Sequence, residues 1–255
     1  MGLAAVIISF VSCGIEDYLY LDPVPQSNVN TTANTQVTIS RLSYSNSYLQ
    51  YYGIYYRIYL SNANYTSQID SSAMSSIHST LYSDYQYLER YTEEYQIQNN
   101  TSGSSTANIG SVFNGRNYNL IALENGNLEN VLSGSNASGY TVTLDFIETS
   151  ASTIPVMRLS YTDSLGVIHV QTYNLFRNSS IPGAANFDPE PDRYFRNTAD
   201  LRNSTYASKN TDVVQQTGSS YAYASFYIVA IGVDDNIAPI YSSPTFLGVM
   251  RLPGS

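Results

Sequence analysis

One run of residues, 48–60, constrains the fold of this chain more than any other feature. It reads Tyr-Leu-Gln-Tyr-Tyr-Gly-Ile-Tyr-Tyr-Arg-Ile-Tyr-Leu and is almost wholly aromatic or β-branched. Side chains of these types favour the pleated and buried surface of a sheet. The sequence therefore predicts a central strand over Tyr48–Leu60 that is packed on both faces.

Alternation along this strand separates two sets of side chains. The face predicted to meet the core carries Tyr52, Ile54, Tyr56 and Ile58. The opposite face carries Tyr51, Tyr55 and Tyr59. Tyrosine combines an apolar ring with a hydroxyl, so this second row is a candidate surface for binding a protein or a glycan. The alternative, which we favour, is that an inserted helix or sheet covers the row.

Composition narrows the class of protein further. Charged residues make up 12% of the 255 residues, about half the usual share, and 25 residues are tyrosine. Polarity comes mainly from Ser, Thr and Asn, a balance typical of an extracytoplasmic all-β protein. The net charge of −9 and the lack of a polybasic run exclude a nucleic-acid partner. The single cysteine excludes an intrachain disulfide.

Periodicity predicts further strands and one helix. The helix is predicted over Ser72–Gln96, because apolar residues recur there at steps of three and four, and Asp70 or Ser71 is its predicted N-cap. The other predicted strands are Gln36–Leu42, Asn117–Leu123, Tyr140–Ile147, Pro155–Thr162, Val167–Phe176, Tyr221–Val233 and Thr245–Arg251.

Three segments together resemble a fibronectin type III domain. They are Val37–Leu42, Tyr52–Arg57, and Phe226–Val233 with the following Ser242-Ser-Pro244. The resemblance implies an immunoglobulin- or fibronectin III-like β-sandwich over residues 35–255. The distance between the second and third segments implies a large insertion, at about residues 61–220, that contributes the helix and the extra strands.

The N-terminus resembles the signal of a bacterial lipoprotein. An apolar run over residues 2–11 precedes Ser12 and Cys13, and it is too short to span a bilayer as a helix. The resemblance implies that residues 1–12 are a signal peptide and that Cys13 receives a diacylglycerol. Residues 13–34 then form the lipidated N-terminus and a tether. We expect the protein in the bacterial cell envelope, outside the cytoplasm, with the outer membrane or cell surface favoured. The alternative is that Cys13 is a buried structural thiol.

No motif for catalysis is found, and no cofactor is expected. His78 and His169 lack neighbours at metal-ligand spacing, so we interpret both as ordinary surface residues. Two acidic loops are the candidates for a Ca²⁺ site, with solvated turns as the simpler interpretation. Their carboxylates belong to Asp188, Glu190, Asp192, Asp234 and Asp235.

The sequence leaves three functions open. The favoured one is a membrane-anchored binding or envelope-structural module that is not an enzyme, with a protein or glycan as ligand. The second is a lipid-anchored glycan hydrolase, which would need two carboxylates about 5–10 Å apart. The third is a passive lipoprotein with a mechanical or antigenic role.

Overall fold

A computed structural model of the chain describes residues 21–42, 46–91, 109–134, 139–150, 152–177, 194–199, 201–202, 210–233, 237 and 239–254. The described part is mainly β. Its strands are β1 (Val29–Thr32), β2 (Gln36–Ile39), β3 (Leu49–Ser61), β4 (Asn119–Leu120), β5 (Ala122–Leu123), β6 (Thr141–Asp145), β7 (Val156–Thr162), β8 (Ile168–Phe176), β9 (Val213–Val214), β10 (Tyr221–Val233), β11 (Pro239–Tyr241) and β12 (Thr245–Arg251). Its helices are α1 (Ser71–Ile77), α2 (Ser79–Glu89), α3 (Ile109–Gly115) and α4 (Leu128–Val131), with a short 3₁₀ turn at Gln26–Asn28.

The strands form two sheets, in which nearly all pairings are antiparallel. The first sheet has the order β1-β2-β6-β7-β8-β5. In the second sheet β10 is central: it pairs with β3 along one side and with β12 and β11 along the other. Strand β3 also pairs with β4 and, in parallel, with β9. The prediction of a central strand at residues 48–60 is confirmed, displaced by one residue.

A single core cluster joins the two sheets. Ile39, Leu144 and Leu159 of the first sheet belong to the same buried cluster as Ile54 and residues of β10 in the second. The alternation predicted for β3 is confirmed, because this cluster also holds Tyr52, Tyr56 and Ile58. The second sheet thus turns one face of β3 toward the first sheet.

Helices cover the other face of the second sheet. Tyr55 is buried with Leu88 of α2 and Phe113 of α3, and the Tyr55 and Phe113 rings stack with their centroids 4.3 Å apart. Tyr59 is buried in a separate cluster with Met74 and Ile77 of α1. The second sheet is therefore packed on both faces. Among the described residues, no helix is both long enough and apolar enough to cross a membrane.

The prediction of one continuous helix over Ser72–Gln96 is wrong, because the structure has two helices there. Asp70 caps α1 as predicted, through a hydrogen bond from the Ala73 N–H. The chain then becomes extended at His78, whose Nδ1 accepts from the Thr80 N–H and caps α2. Helix α2 ends at Glu89, and residues 92–96 lie outside the described part.

The predicted strand Asn117–Leu123 divides at Ile121. On one side β4 pairs with β3 in the second sheet, and on the other β5 pairs with β8 in the first. Ile121 is buried where the chain passes between the sheets, and it extends the core cluster there. A single run of strand-forming residues thus serves two sheets.

Candidate functional site

An open polar cleft of about 740 Å³ lies where α2 and α3 meet the second sheet. Four of its lining residues carry hydroxyl groups on short side chains, namely Ser79, Thr80, Ser83 and Ser111. Its charged lining residues are Arg57, Asp84 and Arg116.

Asp84 organises the charged wall of this cleft. Its side chain is only 2% exposed, and it lies on the face of α2 that also buries Leu81 and Leu88. Arg57 Nη1 donates to Asp84 Oδ2 at 2.7 Å, and Arg116 Nη1 donates to Oδ1 at 2.6 Å. The carboxylate therefore holds one arginine from β3 and one from the end of α3.

A chain of buried hydroxyls continues from Asp84 into the sheet. Tyr59 Oη donates to Asp84 Oδ2 at 2.7 Å and lies 3.0 Å from Tyr118 Oη, which lies 2.8 Å from Ser225 Oγ. Burial raises the pKa of the Tyr59 and Tyr118 hydroxyls well above the usual range. Both tyrosines are therefore neutral, and Tyr59 satisfies the carboxylate without adding charge.

The described charged groups of the cleft wall carry a net charge of +1. Arg57 and Arg116 oppose the single carboxylate of Asp84, and their side chains are 13% and 28% exposed. Each guanidinium uses Nη1 on Asp84, and Arg57 Nε is buried without a hydrogen-bond partner among the described residues. Guanidinium groups are strong donors to carboxylate, phosphate and sulfate groups, so a pair of them beside one carboxylate suits an anionic ligand.

The two arginines are also held in fixed positions. Arg116 stacks on the Tyr87 ring, with its Cζ 3.8 Å from the ring centroid. Arg57 belongs to β3, the strand fixed by its pairing with β10. His78 lies beside them, and burial together with the Arg57 charge lowers its pKa. A cleft whose donors are held in place loses little freedom when it binds an anion.

The predicted tyrosine row does not form an open surface. Tyr59 is fully buried and Tyr55 is 8% exposed, because α1, α2 and α3 lie over them. Tyr51 is half-buried, and burial together with the Glu129 carboxylate raises its pKa to about 12. At Tyr55 and Tyr59 the structure therefore shows the favoured alternative, a helical cover, in place of the candidate binding surface. Tyr59 instead donates a buried hydrogen bond to Asp84, which lines the cleft.

The other predicted sites lie outside the described residues. These are the lipidation site Cys13 and the acidic positions Asp188, Glu190, Asp192, Asp234 and Asp235. Within the described ranges, no group of three or more His, Cys, Asp or Glu side chains is placed to hold a metal ion.

Two features of the sequence point to the cleft. Asp84 stands three residues after Leu81 and four before Leu88, so a carboxylate interrupts the apolar face of the helix. Arg57 likewise shares the strand face of Tyr55 and Tyr59. A charged residue on a buried face requires a partner, and these two residues are partners of each other.

Comparisons of the chain with protein-family models, with curated proteins and with solved structures found no match.

Proposed function

We propose that this protein is a lipid-anchored binding module of the bacterial cell envelope, and that its cleft binds an anionic group. The observation that carries the proposal is the pair Arg57 and Arg116, which line the cleft, stay partly exposed and share one buried carboxylate. The ligand class follows from this geometry, since a neutral ligand would leave the excess positive charge of the wall without a partner.

The anchor rests on the sequence context of Cys13. A diacylglycerol on this residue supplies two acyl chains, which is enough for stable attachment to a bilayer. Mass spectrometry of the N-terminal peptide from protein isolated from its native cell tests this part. We expect a peptide that begins at a lipid-modified Cys13. An unmodified peptide that begins at Met1 would overturn the anchor.

The strand pairing supports a fibronectin III-like sandwich as the scaffold. Strands β1, β2 and β6 are neighbours in one sheet, and β3, β10 and β12 are neighbours in the other. This is the grouping of strands A, B and E against C, F and G in sandwiches of the immunoglobulin type. The segment between β3 and β10 then contains the insertion that builds the cleft.

No observation favours the hydrolase alternative. Glycosidases require a pair of carboxyl groups across the scissile bond. Asp84 is the one carboxylate among the described lining residues of the cleft. Its two oxygens accept hydrogen bonds from Arg57, Arg116 and Tyr59, so both are already engaged within the protein.

Calorimetric titration of the full chain with D-glucuronate and with inorganic phosphate tests whether the cleft binds an anion. D-glucose is the neutral counterpart of D-glucuronate and serves as the control ligand. We expect at least one anion to bind, and glucose not to bind. Replacing Arg116 by Gln should weaken binding about tenfold or more, because a hydrogen bond to a charged group is lost in a partly buried site.

Arg158→Gln is the matched control, because Arg158 also pairs with an aspartate, Asp145, but lies outside the cleft. We expect this variant to bind like the wild type. Equal affinity of the R116Q variant and the wild type, or binding of glucose as strong as that of the anions, would overturn the assignment of the cleft.

A further inference from the structure

The exposed apolar side chains are concentrated on one hairpin. Seven large apolar side chains are exposed in the described part of the chain, and four of them lie between residues 165 and 170. Leu165 is 86% exposed and Ile168 is 70% exposed, and Val167 and Val170 accompany them. Apolar groups that cluster on a surface in this way mark a site of contact with an apolar partner.

This hairpin projects beyond the core. Strands β7 and β8 pair from Val156 to Thr162, but only the half near Met157 and Leu159 reaches the buried cluster. At the tip, His169 on the core-side face is exposed, as are Ile168 and Val170 on the other face. The β7–β8 pairing therefore extends beyond the residues that pack in the core.

The tip lies at the end of the molecule where the described chain begins. Ser160 pairs with Thr141, and the neighbouring Tyr140 carbonyl accepts from the Leu42 N–H, so Leu42 and the tip share one end of the first sheet. Leu21 and Leu42 line the same cavity. The hairpin and the start of the described chain are thus at a common end.

We infer that this end faces the bilayer and that the β7–β8 hairpin inserts its apolar tip into the lipid interface. The inference rests on the proposed anchor at Cys13. Leu21 lies eight positions after Cys13, so the acylated residue lies at most about 29 Å from Leu21. A tether of this length keeps the end that carries Leu165 and Ile168 close to the membrane surface.

The charged and aromatic groups of the hairpin are compatible with the headgroup region. The Asp163 carboxylate accepts hydrogen bonds from the Leu165 and Val167 N–H groups and pairs with His169 at 2.8 Å, so it does not enter the interface unsatisfied. The Tyr161 ring stacks on His169 with centroids 4.8 Å apart. Tyrosine favours the boundary between water and lipid, where one end of its side chain is apolar and the other is wet.

The chain contains no tryptophan, so a single introduced tryptophan reports on its own surroundings. Ile168→Trp places the reporter on the hairpin. Ile147→Trp is the control, because Ile147 is also exposed, at 47%, but follows β6 at the opposite end of the first sheet. Both variants are purified as the full-length mature lipoprotein and reconstituted into phosphatidylcholine vesicles, with and without bromine atoms on the acyl chains. A zwitterionic lipid avoids repulsion of the chain's net charge of −9.

We expect the I168W variant to emit at shorter wavelength in vesicles and to lose intensity in brominated lipid, while the I147W variant does neither. If the two variants behave alike although Cys13 carries lipid, the hairpin inference is overturned and the anchor stands. If Cys13 is unmodified, the proposed anchor and the hairpin inference are both overturned. A wavelength shift that follows the protein-to-lipid ratio without bromine quenching would assign the hairpin to a second copy of the chain, and would also overturn the inference.

Discussion

Asp84 on α2 and Arg116 at the end of α3 are joined by a hydrogen-bonded ion pair of 2.6 Å. This pair connects two helices that otherwise meet through apolar contacts such as those of Leu88 and Phe113. Because Arg57 reaches the same carboxylate from β3, one side chain fixes both helices to the sheet. The wall of the cleft is therefore also a structural element.

We expect Asp84→Ala to lower the free energy of unfolding by about 3 kcal/mol, as measured by urea denaturation. Removing one partner of a buried pair leaves an uncompensated charge, and the cost is near the lower end of the usual range because Arg116 keeps some access to water. Arg158→Ala is the comparison, since that arginine is 43% exposed and should cost at most about 1 kcal/mol. Equal effects of the two substitutions would contradict the role given to Asp84.

Phe113→Ala should destabilise the protein by about 3–5 kcal/mol. The Phe113 ring is fully buried and contacts Tyr55, Tyr118 and Tyr227, so its removal opens a cavity between α3 and the second sheet. Asn114→Ala on the same helix is the control, because Asn114 is exposed. Thermal and urea unfolding measure both variants. A small effect of F113A would indicate that the helical cover contributes little to stability.

Gly232→Ala should cost about 1–3 kcal/mol, because it forces two segments apart. A Cβ atom at this position would clash with the Tyr48 carbonyl oxygen. This oxygen belongs to the backbone, so it can move only if the chain around Tyr48 shifts. Gly115→Ala is the matched control, since a Cβ atom there meets nothing within 4 Å. We expect the midpoint of urea unfolding to fall for G232A alone.

The pH dependence of stability should reveal His78. Burial and the Arg57 charge lower its pKa in the folded protein below the ordinary value of 6.5. The unfolded chain then binds this proton more readily than the folded chain, so the free energy of unfolding falls as the pH drops through about 6.5. His78→Asn removes the titration but keeps an acceptor for the Thr80 N–H. Urea unfolding above and below this pH should show a smaller decline for H78N than for the wild type, and equal declines would refute the assignment.

The long strands could be predicted because their own residues specify them. Tyr221–Val233 and Thr245–Arg251 are found with the predicted bounds, since both are continuous apolar or β-forming runs. Strand β9 is only two residues long, lies outside every predicted strand, and is defined by its parallel pairing with β3. The break at His78 occurs without Gly or Pro, so local propensity carries no signal for it.

The cleft could be predicted only in part. Arg57 and Asp84 each stand out as a charge on an apolar face, so each required a buried partner. Arg116 carries no such signal, because it follows a helix of ordinary composition and becomes important only when α3 packs beside α2. Sequence patterns specify which face of an element is buried, but not which distant element supplies the contact.

The pairing of β3 with β10 determines when the second sheet can form during synthesis of the chain. Ser61 pairs with Tyr221 and Tyr51 with Ile231, so the partners are about 160 to 180 residues apart along the chain. Closing contacts at such separations is slow, and β3 has no long partner strand until residues beyond 220 have been synthesised. The two sheets therefore become complete at different stages, because every strand of the first sheet precedes residue 177 and the β3–β10 ladder needs nearly the whole chain.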